Sequence, residues 1–195
     1  TSPAKQLPTI RSRCQLIRFK PLEVDTVARL LVSKGIVADP SEARRLAQYS
    51  EGSLQRALEL TDSALWSFRN TLLEQLAEPR LPSVQRAQAV AGFVDEAGKE
   101  ASARRARLRQ VLGFAGEFYR QLLHAQCGVS VSDDQELQQH VRRAVEAGLD
   151  DSELSALRLD RCLDAAAQID RNANQATLIE CWLDDLAAAR SPAGA

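Results

Sequence analysis

Beyond Pro21 the apolar residues of this 195-residue chain recur at spacings of three and four, the repeat of one face of a helix. That periodicity confines the chain to an all-α fold after its first twenty or so residues. Val24, Val27, Ala28 and Leu31 make the first stripe, over 22–34, and Gly35 stands where a C′ glycine ends a helix. Asp39-Pro40-Ser41-Glu42 is a second start: Asp39 can cap, Pro40 suits the first position, and Glu42 can reach back to the cap. Ala43, Leu46 and Ala47 form its stripe, which ends near Glu51-Gly52. Ser53 then caps what reads as one long helix through Leu54, Ala57, Leu58, Thr61, Leu65, Phe68, Leu72 and Leu76. Pro79 and Pro82 break it, Ser83 can cap the next helix, and the domain boundary is expected there.

The second half repeats the pattern. Val84, Ala87, Ala91 and Val94 mark one helix. Leu108, Val111, Leu112, Ala115, Tyr119 and Leu122 mark another, beginning within 98–104. Gly113 and Gly116 inside it each cost about 1 kcal/mol relative to Ala, which a closely approaching neighbour helix would offset. Gly128 to Asp133 reads as a loop, and Ser132-x-x-Gln135 as a capping box for a helix carrying Leu137, Val141 and Val145, ended by Gly148. Leu157, Cys162, Leu163, Ala166 and Ile169 stripe the next. Asn174 can cap the last helix, with Leu178, Ile179, Trp182 and Leu186 inward. Residues 1–6 and the tail from Ser191 read as frayed ends. The one strand-like run is Leu16, Ile17 and Phe19, closed by Pro21, and it has no partner in this sequence.

Composition excludes several functions. The net charge is −1 and the pI about 6.1, without the basic excess of a nucleic-acid wrapper. No apolar run is long enough to span a membrane. Cys14, Cys127, Cys162 and Cys181 form no CxxC pair and have no histidine at ligand spacing, so no metal site is expected, and reduced thiols fit a cytoplasmic protein. Cys162 and Cys181 are expected on buried stripes. The chain has no Met, so it reads as a fragment with an upstream portion missing. No GxxxxGK[ST], HExxH or GxSxG is present. Ser2-x-x-Lys5 matches SxxK by letters only. His124 and His140 read as surface residues. Asp133-Asp134 and Asp150-Asp151 suit helix starts, and Asp184-Asp185 an exposed face. Arg104, Arg105, Arg107 and Arg109 read as a solvated basic face balanced by Glu96 and Glu100.

The remaining feature is a turn. Arg11, Arg13 and Arg18 surround Ser12-Arg13-Cys14, just before the apolar run. A guanidinium on a turn is a fork for an anion. On physics alone a surface arginine is the simpler reading. Leu7-Pro8-Thr9-Ile10-Arg11-Ser12-Arg13-Cys14-Gln15 resembles the Ser-Arg-Cys motif of the AAA+ clamp-loader subunits, where an arginine completes a neighbouring subunit's ATP site. Tyr49-Ser50-Glu51-Gly52-Ser53-Leu54-Gln55-Arg56-Ala57-Leu58 resembles that family's sensor-2 segment. Asp170-Arg171-Asn172-Ala173-Asn174 and the apolar helix after it resemble the close of the bacterial collar domain.

The resemblance implies a remnant of an upstream α/β ATPase core over 1–21, a three-helix lid over 22–82 and a helical collar over 83–195. It implies an arginine finger at Arg13, with Ser12 and Cys14 as motif neighbours, acting on ATP and Mg held by the next subunit. The chain itself would bind no cofactor and hydrolyse no ATP. Where active members carry Arg after Gly-Ser-Leu, this chain has Gln55, with Arg56 one residue later and about 100° around the helix. That departure is similar to the delta prime branch, whose members need not hydrolyse ATP, rather than the hydrolysing gamma/tau branch. Implied partners are gamma/tau and delta subunits of the DNA polymerase III clamp loader, with the sliding clamp and primer–template DNA reached indirectly and no membrane. The alternatives are an ATP-hydrolysing gamma/tau-type subunit and a helical interaction module without a nucleotide role.

Overall fold

A computed structural model of the chain describes residues 7–11, 13–15, 17, 19–129, 132 and 134–189. The expected frayed start with its Ser2-x-x-Lys5, Ser12, Leu16, Arg18, Asp133 and the tail from Ser191 lie outside them. All regular structure among the described residues is helical, as the apolar spacing requires. The expected strand does not form in its described residues: Ile17 and Phe19 have no ladder partner, and Phe19 is 90% exposed. The chain makes two compact units, Thr1–Ser63 and Ala64–Ala195.

The first unit contains α1 (Pro8–Arg11), α2 (Val24–Ser33), α3 (Pro40–Tyr49) and α4 (Leu54–Glu59). Val27, Leu31, Ala43, Leu46, Ala47 and Ala57 form its core. α2 ends as the sequence predicts. Gly35 has φ 67°, its N–H bonds Val32 O at 2.9 Å, and Ile36 N–H bonds Leu31 O at 3.0 Å, so a left-handed residue closes the last carbonyls. Asp39 caps α3 by accepting from Ser41 N–H at 3.0 Å, and the Ser41 hydroxyl and amide hold its carboxyl below the usual range.

Between α3 and α4 the chain turns through Glu51 (φ 50°) and Gly52 (φ 75°), and Ser53 caps α4 by accepting from Arg56 N–H at 3.3 Å. Gly52 is required here twice over. Its φ is left-handed, and its backbone lies against Pro21-Leu22, with Leu22 N–H donating to Gly52 O at 3.0 Å. A Cβ at position 52 would come within 2.6 Å of Leu22 O and of Pro21 Cβ.

The second unit contains α5 (Ser63–Leu76), α6 (Ser83–Asp95), α7 (Ala101–Gln126), α8 (Gln135–Glu146), α9 (Ser152–Asp170) and α10 (Gln175–Ala188). The expected long helix from Ser53 is therefore two. α4 closes at Leu60, whose N–H still bonds Arg56 O at 3.0 Å; the next N–H, of Thr61, turns to Leu58 O at 3.2 Å, and the Thr61 hydroxyl donates to the same carbonyl at 2.7 Å. The packing consequently divides at Ser63–Ala64, ahead of the proline break at 79–82. That break is the α5–α6 connection, and α5 makes its side-chain contacts within the second unit.

α7 and α9 form the most extensive helix pair. A Cβ placed on Gly116 would stand 3.7 Å from Cys162 Cβ, an ordinary contact that leaves room for alanine, and one on Gly113 would meet nothing within 4 Å, so neither glycine is required by a close neighbour. The buried face of α9 is Ser155, Arg158, Cys162, Ala165 and Ile169. Leu157 and Leu163, expected inward, are 41% and 59% exposed. Small residues at 155, 162 and 165 let the two helices approach, and the larger leucines turn outward. In α6 the inward residues are Ala87, Val90, Phe93 and Val94, whereas Val84 is exposed; Ser83 is the first helical residue rather than the cap. α8 is capped by Asp134, not Ser132, whose hydroxyl accepts from Asp134 N–H at 3.2 Å. Val145 is also exposed and Ala144 buried in its place. Asn174 caps α10 as expected, and Leu178, Ile179, Trp182 and Leu186 are buried.

Gly52→Ala adds steric overlap to left-handed strain, so it should lower stability by about 2–4 kcal/mol. Gly35→Ala, at a similar φ but with open space around it, should cost only about 1 kcal/mol. Urea unfolding of the two variants measures the difference, and equal losses would remove the role given to the Pro21-Leu22 contact.

Candidate functional site

The turn at Arg13 follows directly on α1. Arg13, Cys14 and Gln15 are all exposed, and the Arg13 guanidinium has no hydrogen-bond or ion-pair partner among the described residues. Seven residues after Cys14 the chain is fastened again, where Pro21-Leu22 lies on Gly52. The two segments singled out by sequence belong to one unit, and Leu22, seven residues beyond the first of them, donates a backbone hydrogen bond to Gly52 of the second. Gln55 and Arg56 are both engaged locally. Gln55 donates to Glu59 Oε1 at 3.2 Å one turn along α4, and Arg56 pairs with Glu51 in the turn before it. Both thus have a nearby partner within the turn and the first turns of α4. Ser12 lies outside the described residues.

The polar centre of the second unit was not foreseen. Arg69 on α5 is 1% exposed; it donates to Asp134 Oδ2 at 2.7 Å and to Glu136 Oε2 at 2.6 Å. Its guanidinium also faces the rings of Trp66 and Phe114, with centroids at 5.3 and 5.7 Å. Asp134 uses its other oxygen to cap α8, accepting from Leu137 N–H at 3.0 Å. Above this pair runs a groove of about 670 Å³ between α5 and α8, lined by Asn70, Glu74, Gln139, His140, Arg142 and Arg143 among others. His140 Nε2 donates to Asn70 Oδ1 at 2.7 Å, and Arg143 pairs with Glu74 at 3.2 Å. Burial pushes His140 below its ordinary value, against the opposing pull of Glu136. His140 is thus a seam residue rather than a solvated one. Arg69 was legible in principle: it falls on the stripe of Leu65, Leu72 and Leu76, where a charge needs partners.

Three arginines of the basic cluster on α7 are engaged internally. Arg104 pairs with Asp95 at 3.3 Å, Arg109 pairs with Asp170 at 2.7 Å, and Arg107 lies 4.8 Å from the centroid of Phe93, itself stacked on Phe68 at 4.0 Å. Its carboxylate partners are Asp95 and Asp170, not Glu96 and Glu100. Cys162 is buried and its thiol is pushed up to about 12 by desolvation, with the Trp182 indole N–H donating to it at 3.4 Å. Cys181, expected inward, is exposed, as are Cys14 and Cys127. Among the described residues no cluster of three metal-ligating side chains exists, and no helix is long and apolar enough to cross a membrane. No protein-family model matches the chain, and no curated protein matches it significantly.

Arg69→Ala leaves Asp134 buried without its cation and should cost about 3–5 kcal/mol in guanidinium unfolding. Arg69→Met with Asp134→Asn should be more stable than Arg69→Met alone, because the orphaned charge is gone. For His140 the folded protein resists protonation more than the unfolded chain does. Its contribution is therefore complete above pH 6.5, the ordinary value, and is lost as pH falls toward the lowered folded value. Thermal melting from pH 7.5 to 5 should show the wild type losing stability relative to His140→Gln, and parallel curves would contradict this.

Proposed function

We propose that this chain is the helical part of a delta prime-like clamp-loader subunit, which offers Arg13 to a nucleotide held by a neighbouring subunit during sliding-clamp loading in DNA replication. The observation that carries the reading is the setting of Arg13. It is exposed and unpaired among the described residues, on a turn whose continuation is anchored at Leu22 onto Gly52. The chain that follows the Ser-Arg-Cys segment thus returns to the Gly-Ser-Leu segment at Gly52. In the ring, the guanidinium would meet the γ-phosphate of ATP bound with Mg in the next subunit and stabilise charge developing there in the transition state.

The state of Gln55 and Arg56 supports the delta prime branch over gamma/tau. Gln55 carries no charge, and Arg56 is neutralised by Glu51. The chain then contributes no cation to a nucleotide of its own. The helices of 83–195 would form the collar, packing against gamma/tau and delta subunits in the cytoplasm, while clamp and primer–template DNA would be met through the assembled ring.

In a reconstituted loader, Arg13→Ala should lower clamp- and DNA-stimulated ATP hydrolysis severalfold while gel filtration still shows the assembled ring. Arg56→Ala should leave hydrolysis unchanged; a loss there points to the gamma/tau-type reading instead. Full hydrolysis with Arg13→Ala removes the arginine-finger role, and with it the reading.

A further inference from the structure

α6 and α10 pack side by side and leave a cleft of about 310 Å³ along one side of the pair. Its floor is made of apolar side chains: Ala87 and Ala91 from α6, Ala176 and Ile179 from α10. Val84 stands on the α6 rim and is 68% exposed, more than any other large apolar residue described in the second unit. The α10 rim carries Glu180 and Asp184, both exposed and one turn apart. Carboxylates elsewhere in this unit find cations: Glu78 pairs with Arg86, Asp170 with Arg109, and Asp185, next in the chain, with Arg161. Glu180 and Asp184 have no ion-pair or hydrogen-bond partner among the described residues, and like charges at this helical spacing repel.

An apolar cleft between two helices accepts the ridge of a third, whose residues at i, i+3, i+4 and i+7 make one apolar line. Alanines on the floor leave room for the larger side chains of that line, and Val84 would be covered by them. The carboxylates decide what kind of chain can bring it. A second copy docking through the same face would set the Glu180 and Asp184 of each copy against those of the other, which opposes association. A phosphate backbone or an anionic lipid surface would be repelled in the same way. A helix with Lys or Arg beside its apolar line would instead supply both missing cations. We propose that the α6–α10 cleft docks an amphipathic helix of another protein, with its apolar line against Val84 and the alanines and its basic edge against Glu180 and Asp184. The surface lies wholly in the second unit and does not rest on the clamp-loader reading.

The test uses two synthetic helical peptides of about four turns, with Leu along one line and Ala elsewhere, flanked by Lys in one peptide and by Glu in the other. Binding to the chain is read by fluorescence anisotropy at physiological ionic strength, where long-range attraction is screened. The Lys peptide should bind saturably and the Glu peptide about tenfold more weakly. Val84→Asp should weaken the Lys peptide about tenfold, although the added carboxylate would strengthen a purely electrostatic attraction. Glu180→Gln with Asp184→Asn should bring the affinities of the two peptides together. All three positions are exposed, so the variants should melt with the wild type. No saturable binding of the Lys peptide overturns the site, as does equal affinity of the wild type for both peptides or undiminished binding to Val84→Asp. A dimer in sedimentation equilibrium that Val84→Asp dissolves would give the cleft to a second copy and overturn the proposal as well.

Discussion

Arg69 is the interaction on which the second unit's architecture turns. α5 makes few close backbone approaches to its neighbours, and contact is made by long side chains instead. Arg69 reaches two carboxylates at the start of α8 and lies against Trp66 and Phe114 on the way. Asp134 is shared between this pair and the first N–H groups of α8. The position of α5, the start of α8 and the ring packing on α7 are thus one coupled arrangement. A buried ion pair adds little net stability once desolvation is counted, but breaking it leaves a charge stranded. Its effect is to fix which face α5 presents and where α8 begins.

The same accounting distinguishes the other arginines. Arg104 and Arg109 reach carboxylates, Arg107 covers a ring, and Arg161 uses Asp164 and Asp185. For Arg104, Arg107 and Arg109 this favours an internal role, because a guanidinium already committed to a carboxylate or an aromatic face has less to give a phosphate. Arg86 and Arg158 are held inside with buried N–H groups that no residue accepts, and Arg13 lies outside without a partner among the described residues.

How much of this could be read from sequence depended on what carried the signal. Helix existence and most ends were legible, since capping and termination are local: Asp39, Gly35 and Asn174 act as their types predict. Inward faces were less so. On α9 Leu157 and Leu163 were read as part of the buried stripe, whereas the helix buries Ser155, Cys162 and Ala165 because close approach to α7 favours small residues over bulk. The break at Leu60–Asp62 was missed because the apolar spacing runs straight across it. Asp62-Ser63, two cap-forming residues in succession, was the available sign. The polar seam needed tertiary information: nothing local says that Arg69 and Asp134 meet. Gly52 was readable as a turn glycine, but its contact with Pro21-Leu22 was not.

That contact bears directly on how Arg13 could act. An arginine on a tether gains little from its charge, because the ordering entropy of the tether is spent on binding. Here the segment is bounded on one side by α1 and on the other by the Leu22–Gly52 hydrogen bond, where two backbones touch without side chains between them. The Glu51–Arg56 pair and the Ser53 cap close the turn that receives it. A residue larger than glycine at 52 would push Pro21-Leu22 away and loosen the backbone contact that follows Arg13 in the chain. The glycine of one motif therefore limits the reach of the arginine in the other. Under the proposed arginine-finger role, Gly52 and Arg13 would be coupled through the backbone alone.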